Sequence, residues 1–215
     1  MFFNLFEKLL DILFPRKQAI RELERMDVSE FSSRAGKAES RAGKNILSCF
    51  DYRDPLVRQA IWELKYRGNK KVAKLLGAVL HDELLAFLEE YAPLTNFTEP
   101  LLIPVPLSTK RESERGFNQC RLLVNVMREL DSEINFTVSS ALKKTKDTQS
   151  QTKADSRKKR LENLKGCFSA DRAAVAGRNI ILIDDVATTG ATLDEARRTL
   201  RGAGAKKVIA FTVAH

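Results

Sequence analysis

Two adjacent carboxylates, Asp184 and Asp185, close the apolar run Ile180-Ile181-Leu182-Ile183, and the segment Thr188-Thr189-Gly190-Ala191-Thr192 follows almost at once. An unbroken apolar run of this kind reads as a strand buried on both faces. Paired carboxylates at its carboxyl end can accept hydrogen bonds from vicinal hydroxyls. The hydroxyl- and Gly-rich loop leads into a helical pattern over Leu193 to Leu200. Loop amides and a helix N-terminus attract phosphate, and Gly190 lets backbone and ligand approach closely. The order of strand, acids, small polar loop and helix suits a sugar that carries a phosphate.

Three other readings fit parts of this segment. A nucleotide-hydrolase strand also ends in acids, but needs a Gly-rich loop ending in Gly-Lys-Ser/Thr. Gly36-Lys37 and Gly43-Lys44 are followed by Ala38 and Asn45, so that partner is missing. An acidic Mg²⁺ pocket leaves the Thr188 to Thr192 run without a purpose. A plain strand end before an N-capped helix needs only one cap residue.

Further constellations stand elsewhere. The apolar Ile103-Pro104-Val105-Pro106 leads into a loop carrying Lys110, Arg111 and Arg115. Guanidinium forks match phosphate oxygens, so this loop could hold a diphosphate; the alternative is a solvated loop of mixed charge. Lys144-Thr145-Lys146-Asp147-Thr148-Gln149-Ser150-Gln151, followed by Arg157, Arg160 and Asn163, could cover an anionic substrate and exclude water. Lys158 and Lys159 read better as a solvated helix face. Tyr52, Trp62, Lys65, Tyr66, Arg67 and Gly68 interleave rings with charge; they could stack a base or simply pack half-buried.

The positioning elements follow from periodicity. A length of 215 residues, 43% hydrophobic, allows one domain with an appendage. Helical spacing is expected over Leu56–Tyr66, with Asp54 as cap and Pro55 in the first turn, and over Lys71–Tyr91. A loop follows from Pro93 to Pro100, then a core strand over Leu101–Val105 and a long polar loop through Gln119. A helix over Cys120–Leu130 and a short strand over Ile134–Val138 come next. Thr145–Asp155 reads as polar and mobile, leading into a basic helix that ends near Leu164. The remaining expectations are strands over Arg178–Asp184 and Lys207–Val213 around a helix over Thr192–Gly202. This alternation predicts an α/β fold with a mostly parallel sheet. Residues 1–48 read as an apolar N-terminal helix plus a flexible polar linker, and 49–215 as the domain proper. Within the linker, Ser33-Arg34-Ala35-Gly36-Lys37 recurs as Ser40-Arg41-Ala42-Gly43-Lys44. Met1 to Phe14 is densely apolar but is too short, and with Glu7, Lys8 and Asp11 too charged, to span a membrane. It reads as a helix docked on the protein or on a second subunit, with a membrane-surface helix as the alternative.

The net charge of +9 favours anionic partners, phosphorylated or nucleic. Lys143 to Lys165 carries nine basic residues against three acidic ones. Cys49, Cys120 and Cys167 are far apart, which supports neither a disulfide framework nor a zinc site and suggests a reducing cytoplasm.

The Asp184 to Thr192 segment resembles the signature with which type I phosphoribosyltransferases bind 5-phosphoribosyl diphosphate (PRPP). That resemblance implies that Asp184 and Asp185 hold the ribose 2′- and 3′-hydroxyls. Ala187, Thr188, Thr189, Gly190, Ala191 and Thr192 would wrap the 5′-phosphate. In the hypoxanthine-guanine branch an Asp usually stands where this chain has Thr188, which argues against that branch. The chain from about Phe50 to Val213 is also similar to the ComF family of competence-associated phosphoribosyltransferase-like proteins. The likeness is carried by Leu64-Lys65-Tyr66-Arg67-Gly68, by the Pro-Val-Pro strand with Arg115-Gly116-Phe117-Asn118-Gln119, and by the Lys144 to Gln149 loop. Together these imply a type I phosphoribosyltransferase fold, with Arg111, Arg115 and Lys146 neutralising the departing pyrophosphate. Mg²⁺ would arrive largely bound to the substrate. DNA uptake, with single-stranded DNA as partner, is the alternative role, and a homodimer is a further candidate. Relatives usually carry a Cys-rich zinc ribbon after an apolar start; this chain keeps Leu13-Phe14-Pro15 but has no Cys before Cys49.

Overall fold

The computed structural model describes residues 18–38, 45–147 and 164–215. The expected apolar helix over Met1–Phe14 and most of the expected lid lie outside them. The first helices are α1 (Gln18–Leu23) and α2 (Val28–Arg34). Asp27 caps α2 by accepting from the Glu30 amide at 2.8 Å. Phe31 is fully buried and meets Phe50 edge-on, ring centroids 5.3 Å apart. Part of the segment expected as a flexible linker is therefore a packed helix. Its single large apolar residue suffices because it enters the main core. Ala38 and Asp51 then bond across to strand β1 (Ile46–Phe50) and Gly36, so ordered sheet begins before the expected boundary at residue 48.

Asp54 caps α3 (Pro55–Trp62), accepting from the Leu56 and Val57 amides at 2.8 and 3.0 Å. A π-helical turn, Glu63–Arg67, extends it, and Gly68 stops it in the left-handed region (φ 57°). The long α4 (Lys70–Thr95) runs past the expected loop start and carries Pro93 in its last turns. Strand β2 (Leu101–Pro104) follows. The expected long loop then holds a short helix, α5 (Thr109–Arg115), before α6 (Gln119–Leu130) capped by Asn118. Beyond β3 (Thr137–Val138) comes a feature that the apolar pattern did not announce, an antiparallel pair of β4 (Leu142–Lys144) and β5 (Phe168–Ala170). The short α7 (Arg172–Val175), β6 (Asn179–Val186), α8 (Ala191–Gly202) and β7 (Lys207–Ala214) complete the order.

The main sheet is wholly parallel, ordered β1-β7-β6-β2-β3. Strand period two divides its residues between two cores. Leu102, Ile181, Ile183, Ile209 and Phe211 face α3, α4 and α6. Leu101, Ile103, Ile180, Leu182 and Ala210 face α8 and the β4–β5 pair. Helices on both faces explain why β6 is apolar without alternation. Its register with β2 on one side and β7 on the other fixes where its carboxyl end lies, and the acids stand there. Among the described residues no helix is long and apolar enough to cross a membrane.

Candidate functional site

Asp184 and Asp185 point to opposite faces because they are neighbours on one strand. Asp184 continues the side of Ile180 and Leu182. Its Oδ1 accepts from the Asp185 amide at 2.9 Å and from Cys120 Sγ at 3.3 Å. Asp185 continues the side of Ile181 and Ile183, where the π-helical turn supplies Lys65. The Lys65 ammonium lies 3.1 Å from Asp185 Oδ2, paired by charge rather than by a directed hydrogen bond. Asp185 Oδ1 accepts from the Val186 amide at 2.8 Å. Both acids are buried.

Burial, then the charge of Asp185, pushes the Asp184 carboxyl up to about 7, against the opposing pull of Lys65. Burial opposes the charge on Lys65, but the two carboxylates outweigh it and hold that ammonium above its usual value. Burial and the same carboxylates drive the Cys120 thiol well above its usual range, so it remains a protonated donor. The arrangement is a buried acid pair, with the Asp184 carboxyl raised, and one resident cation.

The loop after β6 is tied at its base, where the Ala187 amide donates to Ala214 O at 2.9 Å and Ala187 O faces His215 Nδ1. Gly190 takes the helix-capping position with φ 74°, and a Cβ there would meet Ile46 Cδ1 at 3.2 Å. Thr188 is exposed, Thr189 and Thr192 are half-buried, and Thr189 Oγ1 accepts weakly from the Ala191 amide at 3.4 Å. The 12-residue α8 starts here with its positive end at the loop. The structure thus places Asp184, Asp185 and Ala187 through Thr192 at and just beyond the carboxyl end of the central strand.

The basic residues are distributed less simply. Burial lowers the Lys144 ammonium, with Cys167 acting in the opposite sense, Arg111 lowering it further and Asp184 again opposing. Arg115 donates to Gln119 Oε1 at 3.0 Å and stacks 5.2 Å above the Tyr66 ring. Lys146 is exposed near Gly166, at the base of the segment that leads into residues 148–163. Thr148, Gln149, Ser150, Gln151, Arg157, Arg160 and Asn163 lie outside the described residues. Glu195 of α8 accepts from the Gly166 amide at 2.6 Å and anchors that base to the helix of the phosphate loop. Among the described residues no group of three or more His, Cys, Asp or Glu side chains could cage a metal.

Sequence reasoning did not foresee Lys65 and Cys120 as partners of the acids. The α-helical period puts Lys65 on the apolar stripe with Ile61 and Leu64, and only the π-helical turn shows where it reaches. Two clefts lie away from the acids. One, of 220 Å³, sits between β1 and α4 at Ser48, Glu83 and Phe87; the other, of 400 Å³, lies below the sheet at Leu88, Phe97 and Ile134.

A phosphoribosyl transferase domain profile matches residues 120–215. The chain is 34% identical to the competence protein ComFC of Bacillus subtilis (strain 168) over 169 residues, which cover 77% of this chain and 62% of that protein. It is 32% identical to the DNA utilization protein YhgH of Escherichia coli O157:H7 over 166 residues, covering 77% of this chain and 69% of that one. The chain therefore spans less than two thirds of the Bacillus relative. Among solved structures, the glutamine PRPP amidotransferase from B. subtilis aligns with a TM-score of 0.42 and 18% identity, over 71% of this chain and 30% of that chain.

Proposed function

The chain belongs to the ComF family of phosphoribosyltransferase-domain proteins, and from that premise we propose that it binds PRPP and transfers its ribose 5-phosphate with release of pyrophosphate. The observation that carries this reading is the end of β6: a buried acid pair followed directly by a Gly190-capped loop and the positive end of α8. The 5′-phosphate would sit on Ala187, Thr188, Thr189, Gly190, Ala191 and Thr192, and the ribose hydroxyls on Asp184 and Asp185. In the transfer, an acceptor lone pair forms the bond to ribose C1 as the bond from C1 to the diphosphate oxygen breaks. The acceptor's proton is released to solvent. Arg111, Arg115 and Lys146 would offset the charge that develops on the leaving group.

Mg²⁺ fits this chain only as a companion of the substrate. Lys65 already counters Asp185, and no acidic cluster of three stands among the described residues. The ion would be held by diphosphate and ribose oxygens, with Asp184 beside it, and would neutralise the leaving group.

The test is a thermal shift with PRPP and Mg²⁺ on the wild-type chain and on Asp184→Asn. A stabilisation that grows with PRPP and is lost in the variant is the expected result. No shift in the wild type would sink the reading. A second reading, a nucleic-acid-handling role on the same fold, is supported by the DNA utilization and competence names of the relatives and by the basic excess over Lys143 to Lys165. It is favoured if single-stranded DNA binds with steep salt dependence while PRPP causes no shift.

A further inference from the structure

Among the described residues, Trp62 (43% exposed) and Tyr66 (52%) are the aromatic side chains left open to solvent. They do not stand alone. Their ring centroids are 5.6 Å apart at a tilt of 46°. The Arg67 guanidinium lies 5.1 Å over Trp62, and that of Arg115 lies 5.2 Å over Tyr66. Four planar groups therefore form a ladder, Arg67-Trp62-Tyr66-Arg115, on one surface. Exposing two large rings is costly for a domain that could have buried them, and stacked guanidinium groups keep a π surface open to another flat, polar ring.

The ladder is joined to the acid pair by two separate paths. Tyr66 follows Lys65, whose ammonium touches Asp185. Arg115 is bonded to Gln119, which precedes Cys120, whose thiol touches Asp184. The turn that sets the ladder is also held rigidly. Gly68 closes it at φ 57°, and a Cβ there would lie 2.9 Å from the Phe117 ring, so the π-helical turn and the Arg115 loop interlock. Such turns, with their extra residue per hydrogen-bonded ring, recur at functional sites. Here the extra residue lets Lys65 point inward while Trp62 and Tyr66 both remain outside.

We propose that Trp62, Tyr66 and Arg115 form the acceptor subsite, a stacking platform for a free nucleobase held beside the ribose of bound PRPP. This rests on the reading of Asp184 to Thr192 as the PRPP site. The guanidinium of Arg115 has a double part: backed by Tyr66, its own outer plane offers the face on which the base would lie, and it would border the leaving group.

Trp62 is the chain's single tryptophan, so its fluorescence reports on the platform directly. The full chain, saturated with ribose 5-phosphate and Mg²⁺, is titrated with adenine, guanine, cytosine and uracil, and separately with a short dT oligomer. The expected result is saturable quenching by at least one free base, tightened when ribose 5-phosphate is bound. It should be weakened about tenfold in Tyr66→Leu and retained in Tyr66→Phe. Tyr66 is exposed, so both variants should fold; a far-ultraviolet spectrum checks it. A PRPP-induced thermal shift with no saturable quenching by any base overturns the platform and leaves the PRPP site standing. Quenching by the oligomer alone also overturns it, in favour of strand binding. If PRPP itself causes no shift, the reading beneath the proposal fails first, and the proposal with it.

Discussion

Asp184 has lost most of its contact with water and shares its small volume with a second carboxylate, and the consequence is a proton retained far above the usual carboxylate range. The sign of its effect on stability follows from proton counting. Between the ordinary carboxylate value and about 7, the folded protein holds a proton that the unfolded chain has released. Stability contributed by this group is therefore full in acid, falls as pH rises across that window, and levels off above it. Lys65 is raised as well, but its contribution is lost only above the ordinary lysine value, outside the same window. Urea unfolding of Asp184→Asn should show a shallower fall between about pH 4 and about pH 7 than the wild type; identical slopes would mean that another group is responsible. Lys65→Met removes the cation from Asp185 and should cost on the order of 2 kcal/mol near neutral pH. That is less than for a fully buried pair because Lys65 is partly solvated, and the loss should shrink in acid as the carboxylate is protonated. A pH-independent loss would instead indicate a packing role for the lysine stem.

The helices and strands divide by how much of their packing is written in local pattern. Strand β6 and helix α8 were legible because an unbroken apolar run ending in acids and an amphipathic helical period are each plain in the local sequence. Helix α2 was not, since Phe31 is its only fully buried side chain and the residues around it are small or polar. Phe31→Ala should cost about 3–5 kcal/mol in chemical denaturation if α2 belongs to the domain core, and well under 1 kcal/mol if it is a tether. The β4–β5 pair escaped notice because three-residue strands carry too little alternation, and its partners are separated by the stretch read as mobile. The acids and phosphate loop could be read from residue types alone, being contiguous. The cation and the thiol that set their charge could not: Lys65 arrives through a π-helical turn and Cys120 through the first turn of α6, and neither spacing is visible in a chain scanned for the α-helical period.

At the scale of the whole molecule, the charge of +9 is set against a buried acid pair that is nearly neutralised from within. Any binding of a short dT oligomer through that charge should therefore weaken steeply from low to physiological salt, with a log–log slope that counts the phosphates contacted. On the proposed reading PRPP should respond less steeply, because loop amides and paired groups would hold it as much as net charge; equal slopes would mean that both anions use the same diffuse field. The order β1-β7-β6-β2-β3 places the last strand of the sequence between the first strand and the one that bears the acids. Ser48 and Thr212 share a hydrogen bond across 164 positions of chain. A ribosome making this protein therefore delivers β6 with one edge open, and the sheet cannot close until Lys207–Ala214 has emerged. Until then the strand that bears Asp184 and Asp185 has no fixed register on one side, so any competence to bind there should appear only once β7 has paired with it.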